Sequence, residues 1–254
     1  MTIWIDRPAW PAHGRLWSHL ISDTSYAEVH AFAAANGIPR RGFEGDHYDV
    51  PEQAYAALVA AGARPTTSAH ILELLAGSRL RLRKRRGEKG IARALDIVFP
   101  DGSIADIDMV ASSMGPPEAA TFASAVLIRE AGGRYLVGFS RRRQEWSAPG
   151  GWREPGETPV ETAVRETREE TGIVLDPGTL RPVAYERFHR HEGSPWPVPG
   201  GRFLAVFRCE LRESAPTLTA PDGEPAEWVA PEEMLVRYAH SWWRPLVSHL
   251  LAHP

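Results

Sequence analysis

Glutamates and arginines are concentrated in one stretch of the chain, which reads GWREPGETPVETAVRETREETGI. On a helix, the carboxylates of Glu166, Glu169 and Glu170 would lie on one flank, because residues three and four apart are neighbours there. Three carboxylates so placed repel one another unless a cation compensates them, and oxygen ligands of this kind suit Mg²⁺ or Mn²⁺. The alternative is an exposed acidic face supported by glutamate–arginine pairs four residues apart. The stretch therefore predicts either a divalent metal site or a solvated helix face.

A helix is predicted around these glutamates, from about residue 159 to residue 171. Thr158-Pro159-Val160-Glu161 is a capping box with proline at the first helical position, and Gly172 suits the left-handed residue just past the end. The less polar side chains then share one face, which is expected to pack on a sheet. They are Val160, Ala163, Val164, Thr167 and Thr171.

The loop before this helix favours the metal site over the solvated face. Pro149-Gly150-Gly151 lets the backbone turn sharply and brings carbonyl groups beside the carboxylates. The whole segment, residues 151–173, resembles the signature of the Nudix hydrolases, which cleave nucleoside diphosphates linked to another moiety. One position departs from the signature, since Thr167 stands where the family prefers an aliphatic residue, and that position serves packing rather than chemistry.

The resemblance implies a role for each matching residue. A backbone carbonyl and three carboxylates bind divalent ions in the family, which here are those of Gly150, Glu166, Glu169 and Glu170. Two further residues mainly orient the site, namely Glu157 and Arg165. The implied cofactor is Mg²⁺ or Mn²⁺.

The reaction implied is metal-assisted hydrolysis of a phosphoanhydride, in which a carboxylate accepts the proton of an attacking water. Glu166 is the candidate base. Some members of the family use a glutamate from a later loop, and the acidic loop Pro221–Glu227 would supply Glu224 or Glu227. A solvated loop charge is the alternative for both glutamates.

Two arginines and a tryptophan are candidates for contact with substrate. Arg141 and Arg143 follow the predicted strand Tyr135–Phe139 and could meet phosphates, although an exposed basic turn is the alternative. Trp196 lies in Ser194-Pro-Trp-Pro-Val-Pro199, which is similar to the SQPWPFPxS array of the NADH pyrophosphatase subgroup. There Trp196 could stack on a base, or simply anchor a proline-rich loop.

The cysteine content limits the comparison with that subgroup. Cys209 is the only cysteine of the 254 residues, so the four-cysteine zinc ribbon that the subgroup often carries cannot form. The resemblance to the Nudix hydrolases leaves the substrate open among ADP-ribose, a dinucleotide, a nucleotide sugar and a modified nucleoside triphosphate.

The first third of the chain predicts a small α/β domain. Short strands are expected at Thr2–Ile5 and Trp17–Ile21. Three helices should follow the strands. The first is capped by Asp23 or Thr24 and ends near Asn36-Gly37, the second has Pro51 at its first position and Gly62 beyond its end, and the third runs from Thr67 or Ser68 to Gly77.

This part resembles a small bacterial domain of unknown function over roughly residues 1–85. The resemblance rests on Ile3-Trp-Ile-Asp6, Arg15-Leu-Trp-Ser-His-Leu20 and Gly45-Asp-His-Tyr-Asp-Val50. It implies no known chemistry. The polar residues of these motifs could form a site, or could be buried and hydrogen-bonded for structural reasons. They are Asp6, His19, Asp46 and His47.

The segment between the two parts is basic and then β-prone. Residues 79–86 carry six basic side chains in eight, which indicates a solvated linker or a contact with nucleic acid, the latter unlikely. A hairpin is expected from Ala94–Phe99 and Ile104–Val110. We therefore predict a small α/β domain at 1–86, a linker with this hairpin at 87–117, and a Nudix hydrolase domain at 118–254.

Composition agrees with an α/β protein built of two domains. Hydrophobic residues make up 43% and charged residues 24% of the chain, which suits packed cores. Residues 1–90 have a net charge of +3, and residues 91–254 have −6, so the acid lies with the predicted metal site. No membrane span or leader is expected, which predicts a soluble, cytoplasmic protein, and the resemblance makes a homodimer plausible.

Two functions are in competition at this point. The first is a Mg²⁺-dependent Nudix hydrolase, folded as an α/β/α sandwich with a mixed sheet and preceded by the smaller α/β domain. The second is a sensor or interaction protein that uses a Nudix fold to bind a nucleotide without turnover. The intact glutamates favour the hydrolase.

Overall fold

A computed structural model describes residues 2–198 and 200–253. The chain divides into two compact units, Met1–Arg93 and Ala94–Pro254. Three residues lie outside this description: Met1, Pro254 and Pro199, which is the last residue of the proline-rich array Ser194–Pro199.

The first unit is a sheet of five short strands with three helices. The strands are β1 (Ile3–Asp6), β2 (Trp10–Ala12), β3 (Arg15–Ser22), β4 (Tyr48–Pro51) and β5 (Arg64–Thr66). The helices are α1 (Tyr26–Ala35), α2 (Glu52–Ala60) and α3 (Ser68–Gly77), and a 3₁₀ turn spans Arg40–Gly42. The predicted α/β class of this part is confirmed.

Strand β3 is central to this sheet because it pairs with three neighbours. It is antiparallel to β1, β2 and β4, whereas β5 lies parallel to β1 on the far side. Ile5, Leu20 and Val50 are fully buried in the core, together with Val29 and Leu58 from the helices.

Two of the predicted helix starts are wrong by one or two residues. Ser25 caps α1 by accepting a hydrogen bond from the Glu28 N–H, whereas Asp23 accepts from the backbone N–H of Thr2 and the indole of Trp4. Asp23 is therefore engaged with β1 rather than with the helix. Pro51 lies just before α2 instead of at its first position. The predicted bounds of α3 are confirmed, since the helix runs from Ser68 to Gly77 with Thr67 as its cap.

The basic segment packs on the first unit and is not solvated along its length, so the expectation of a solvated linker is wrong for it. Leu80 and Leu82 are 3% and 2% exposed. The hydroxyl of Tyr26 donates to the Leu80 carbonyl at 2.6 Å, and Arg81 pairs with the buried Asp46 at 2.8 Å. Alternating leucines are thus directed inward while most of the basic side chains remain exposed.

The second unit is built on a nine-stranded sheet, whose first strand begins before residue 94. Its strands are β6 (Lys89–Val98), β7 (Ile104–Ala111), β8 (Thr121–Arg129), β9 (Tyr135–Ser140), β10 (Glu145–Ser147), β11 (Gly150–Trp152), β12 (Arg181–Arg190), β13 (Phe203–Glu210) and β14 (Ala226–Val229). The helices are α4 (Pro159–Thr171), α5 (Pro231–Arg237) and α6 (Arg244–Ala252), with 3₁₀ turns at Glu118–Ala120 and Pro177–Thr179.

The sheet is mixed, as predicted. The strand order is β10-β9-β8-β13-β12-β7-β6, with β11 paired to β8 and β14 to β9. Strands β8 and β13 run parallel, whereas β9 is antiparallel to β10 and β14, β11 to β8, and β12 to β13 and β7. The hairpin of β6 and β7 forms, and β7 pairs along β12 from Ala105 to Ala111, so β7 is an integral strand of this sheet.

Helices cover both faces of the sheet, which makes the α/β/α sandwich. Phe207 and Cys209 of β13 pack in one buried cluster with Ala163 of α4. Arg208 lies between them and points to the opposite face, where its guanidinium donates to the Leu250 carbonyl of α6 at 2.6 Å. The alternation along one strand therefore directs α4 and α6 to opposite sides.

Candidate active site

Helix α4 begins and ends where its sequence predicts. The Thr158 hydroxyl accepts from the Glu161 N–H at 3.2 Å, and the Glu161 carboxylate accepts from the Thr158 N–H at 2.7 Å. Gly172 follows the last turn with a φ of 77°, a conformation that glycine adopts without a Cβ clash. The helix is thereby held at both ends against the sheet.

The predicted apolar face of α4 packs on the sheet. Ala163, Thr167 and Thr171 are buried, and Val160 and Val164 are partly buried against the same core. The two threonines satisfy their hydroxyls within the helix, because each donates to the carbonyl four residues earlier, at 2.7 and 2.6 Å. Thr167 therefore serves packing without leaving a polar group unpaired.

Two consecutive glycines let β11 approach both the sheet and α4. A Cβ on Gly150 would overlap the Ser124 carbonyl of β8. A Cβ on Gly151 would overlap the carboxylate of Glu166. Larger residues at either position would push apart groups that the loop brings together.

Arg165 organises the acidic flank of α4. Its Nε and Nη2 donate to the two carboxylate oxygens of Glu157 at 2.7 and 3.1 Å, and Nη2 also donates to the Trp152 carbonyl at 2.8 Å. Its Nη1 donates to Glu166 at 2.8 Å and to Glu169 at 3.1 Å. One guanidinium thus links the strand before the helix, the loop and two of the glutamates, as the orienting role predicts.

This arrangement shifts the pKa values of the pair in opposite directions. The hydrogen bonds from Arg165 lower the pKa of Glu157 to about 2, against a smaller effect of burial. The bonds to Glu157 and Glu166 raise the pKa of Arg165 further above its ordinary value. Both groups are therefore charged at neutral pH.

Glu170 is the most perturbed carboxyl group at the site. Burial raises its pKa most, and repulsion from Glu166 and Asp222 raises it further. The hydrogen bond from the Gly150 N–H, at 3.0 Å, lowers the pKa in part, and the result is a pKa of about 8. Burial also raises the pKa of Glu166. Without a bound cation, burial and the neighbouring carboxylates therefore favour the neutral form of Glu170 at neutral pH.

Three of the four glutamates of α4, Glu166, Glu169 and Glu170, share one flank but point to different partners. Glu166 and Glu169 are drawn to Arg165, whereas Glu170 turns to Gly150, and Glu169 is about half exposed. Within residues 2–198 and 200–253, their oxygens do not all lie within 4.8 Å of one another. A common ion would draw Glu169 away from the guanidinium.

The donor set nevertheless fits a hard divalent cation. Three carboxylates and the carbonyl of Gly150 are all oxygen ligands, which Mg²⁺ and Mn²⁺ prefer. The raised pKa of Glu170 indicates a buried carboxylate that lacks a compensating charge, and a bound cation would supply it. Glu166, Glu169, Glu170 and the Gly150 carbonyl could therefore hold the ion.

The loop residues predicted to contact substrate or to act as a base have partners within the protein. The backbone N–H of Arg141 donates to Glu224 at 2.7 Å, which ties two loops together. Arg143 pairs with Glu145 at 2.7 Å, and its charge also acts on Glu170. Glu227 pairs with the guanidinium of Arg237 at 2.6 Å.

Trp196 packs inside an aromatic cluster rather than projecting from its loop. Its ring lies 5.8 Å from those of Phe122 and Phe188, and its indole donates to the Gly201 carbonyl at 3.1 Å. These contacts match the alternative in which Trp196 anchors a proline-rich loop.

The structure also brings Asp222 to the site, a residue that sequence reasoning passed over. Its backbone N–H donates to the Glu169 carbonyl at 3.2 Å, and its charge raises the pKa of Glu170. Asp222 lies in the acidic loop Pro221–Glu227, in which only the glutamates were predicted as bases. No local pattern marks Asp222, because its position at the site depends on the hydrogen bond between this loop and the end of α4.

Comparisons with known proteins agree with this arrangement. A family model described as "NUDIX domain" matches residues 120–250, and a second, described as "Protein of unknown function (DUF4031)", matches residues 3–78. The first match covers more than half of the chain and includes the loop, α4 and seven of the nine strands of the sheet, β8 to β14. The chain therefore belongs to the Nudix family.

Individual relatives cover a shorter part. Phosphatase NudJ from Escherichia coli K12 is 38% identical over 91 residues, which are 35% of this chain and 54% of that protein. The chain thus spans about half the length of the curated relatives it matches. The Ap4A hydrolase from C. elegans is 20% identical over 52% of this chain and 97% of that chain, with a TM-score of 0.37. DR0079 from Deinococcus radiodurans is 24% identical over 62% and 97%, with the same TM-score.

Among the helices of the described residues, not one combines the length and the apolar character needed to cross a bilayer.

Proposed function

We propose that the second unit is a divalent-cation-dependent pyrophosphohydrolase. It would cleave the phosphoanhydride bond of a nucleoside diphosphate linked to another moiety, such as ADP-ribose, a dinucleotide, a nucleotide sugar or a modified nucleoside triphosphate. The observation that carries this proposal is the undercompensated carboxylate of Glu170 beside Glu166, both held against the glycine loop. The name phosphatase of the relative NudJ supports hydrolysis at phosphorus.

A bound Mg²⁺ or Mn²⁺ ion neutralises a diphosphate and lowers the pKa of a water bound to it. The chain contributes the ligands for that ion, which are Glu166, Glu169, Glu170 and the Gly150 carbonyl. Arg165 positions two of these carboxylates, and Glu157 in turn holds Arg165 through two hydrogen bonds. Orientation of the ligands therefore depends on one salt-bridge network.

Glu166 is our candidate for accepting the proton of the attacking water. Its carboxylate lies against Gly151, and burial raises its pKa, so it holds a proton more strongly than an exposed glutamate does. Glu224 and Glu227 are the alternative bases. Each would have to leave its present partner, the Arg141 N–H or the Arg237 guanidinium, before it could act.

Arg143 is the better placed of the two arginines for contact with substrate phosphates. Its charge already acts on Glu170, so an anion bound beside Glu170 would lie within its field. The phosphate would compete with Glu145, its current partner at 2.7 Å. Arg141 contacts the neighbouring loop through its backbone N–H, which donates to Glu224, so this contact does not involve its guanidinium.

The test is a panel of these substrates with Mg²⁺, with Mn²⁺ and without a divalent ion, with the products identified by mass. We expect metal-dependent cleavage of at least one substrate, and its loss in Glu170→Gln. Glu166→Gln should lower kcat by about 10²–10⁴-fold if Glu166 is the base. Glu232→Gln is the matched control, because Glu232 is an exposed glutamate on α5.

The possible outcomes distinguish a hydrolase from a protein that binds a nucleotide without cleaving it. Tight binding of ADP-ribose without cleavage of any substrate would refute the hydrolase and support nucleotide sensing. An unchanged rate in Glu170→Gln would refute the assignment of the site even if the protein is a hydrolase.

A further inference from the structure

The first unit contains a cluster of two histidines and an aspartate. One ligand atom from each of His19, His47 and Asp49 lies within 4.8 Å of the others. His19 and Asp49 are directly opposite each other in the antiparallel pair of β3 and β4, and His47 immediately precedes β4. The register of these two strands therefore brings the three side chains together.

Two buried carboxylates orient the imidazole rings. Asp6 is fully buried and accepts from the ring Nδ1 of His19 at 2.8 Å, from its backbone N–H at 2.6 Å and from the Ser68 hydroxyl at 2.5 Å. Asp46 is 2% exposed and contacts the Nδ1 of His47 at 2.6 Å. Each Nδ1 is thus engaged by a buried carboxylate, whereas the Nε2 of His47 contacts Asp49 at 3.2 Å, so Nε2 is the nitrogen that could bind an ion shared with Asp49.

A carboxylate behind each histidine is the usual arrangement of metal-binding imidazoles. The carboxylate fixes the tautomer and the orientation of the ring and increases its basicity as a ligand. A structural histidine needs only one hydrogen-bonding partner, whereas here two Asp–His pairs converge on one point. The two rings lie 5.0 Å apart at an angle of 78°.

The distances also suit a shared ion. Metal–nitrogen and metal–oxygen bonds of about 2.0–2.2 Å separate neighbouring ligand atoms by roughly 3–3.5 Å. The Nε2 of His47 and a carboxylate oxygen of Asp49 are 3.2 Å apart. The side chains of His19, His47 and Asp49 are 23%, 17% and 43% exposed, so an ion and a further ligand can reach them.

We propose that His19, His47 and Asp49 bind a divalent transition-metal ion in the first unit, with Asp6 and Asp46 as positioning residues. Two imidazole nitrogens with one carboxylate suit Zn²⁺ or Fe²⁺ rather than Mg²⁺. Three protein ligands leave coordination positions open for water or a substrate. The chemistry differs from that of the α4 site, whose ligands are all oxygen atoms.

A structural ion pair is the competing explanation. Burial lowers the pKa of His47, but its hydrogen bonds to Asp46 and Asp49 outweigh burial and raise the pKa to about 9. A protonated His47 would bridge the two aspartates without any metal. The two explanations differ in one measurable property, which is the binding of metal by the folded protein.

The experiment uses the full chain carrying Glu170→Gln, stripped with a chelator and then titrated with Zn²⁺ by equilibrium dialysis. This background weakens metal binding at the α4 site. We expect one equivalent of Zn²⁺ to remain, and its affinity to fall at least tenfold when His19→Gln or Asp49→Asn is added. His70→Gln is the matched control, because His70 lies in α3 outside the cluster and its removal should leave binding unchanged.

A second measurement guards against variants that fail to fold. An ion that binds only the native state stabilises that state. Zn²⁺ should therefore raise the Tm of the Glu170→Gln protein, with or without His70→Gln. It should not raise the Tm of the Glu170→Gln protein that also carries Asp49→Asn. Asp49 is the most exposed ligand, so Asp49→Asn should keep the fold. Absence of Zn²⁺ binding in the Glu170→Gln background, or equal binding in the presence of His19→Gln and Asp49→Asn, would overturn the proposal in favour of the ion pair.

Discussion

Glu157→Gln tests the network that orients the site. The substitution preserves the shape of the side chain but replaces one of the two oxygens that accept from Arg165, at 2.7 and 3.1 Å, with an amide group. It also removes the negative charge opposite the guanidinium. Arg165 should then hold Glu166 less firmly, and both stability and turnover should fall.

The size of the effect follows from the pKa of Glu157. A fall from 4.5 to about 2 corresponds to about 3 kcal/mol at 1.36 kcal/mol for each pKa unit. That value is an upper bound, because both side chains keep some contact with solvent, which screens their charges. A loss of about 1–2 kcal/mol in the free energy of unfolding is expected at pH 7.

The assay is urea unfolding of the wild type and Glu157→Gln between pH 2 and pH 7. The native pKa of Glu157 lies below its unfolded value, so the pair contributes its full stability above about pH 4.5. That contribution is lost as the pH falls towards 2. The difference between the two proteins should therefore be constant from pH 5 to pH 7 and should close in acid, while Glu232→Gln should show no such difference.

A difference that stays the same at every pH would show that the carboxylate charge of Glu157 is not what stabilises the protein. Unchanged kcat in Glu157→Gln, with stability reduced as expected, would show that the network supports the fold without orienting the catalytic carboxylates.

Three further outcomes are expected. Thr158→Ala removes the side-chain cap of α4 and its reciprocal bond with Glu161, so the free energy of unfolding should fall by about 1 kcal/mol, measured by urea titration; no change would mean that the cap is redundant. Gly151→Ala puts a methyl group where the Glu166 carboxylate lies, so kcat should fall about 10²-fold with Tm nearly unchanged, and an unaltered kcat would contradict the placement of Glu166. Glu130 accepts several backbone N–H bonds that lower its pKa to about 2, so the wild type should exceed Glu130→Gln in urea midpoint above pH 4.5 and lose that advantage towards pH 2.

The sequence predicted those structural features well that depend on only a few neighbouring residues. The capping box and Gly172 placed α4 correctly, and the strand predicted at Tyr135–Phe139 matches β9 to within one residue. Capping, helical periodicity and alternation depend on neighbours in the chain, so they can be read without the fold.

The errors arose where a distant partner competes for a residue. Asp23 has the right chemistry for a helix cap, but the backbone of Thr2 and the indole of Trp4 engage it instead. The basic segment 79–86 looked solvated because charge dominates its composition, yet its leucines reach the core of the first unit. Asp222 gained its importance from a loop that returns to the end of α4.

The sequence by itself determined the family and the acidic flank of α4, because both lie in one continuous segment. Only the tertiary structure decided how the charges are balanced, since Arg165 contacts Glu157, Glu166 and Glu169 at the same time. It also decided that the aspartates and histidines of the first unit are paired. Their pairing requires strands β1, β3 and β4 to lie side by side, and strand pairing is a long-range property that no local pattern contains.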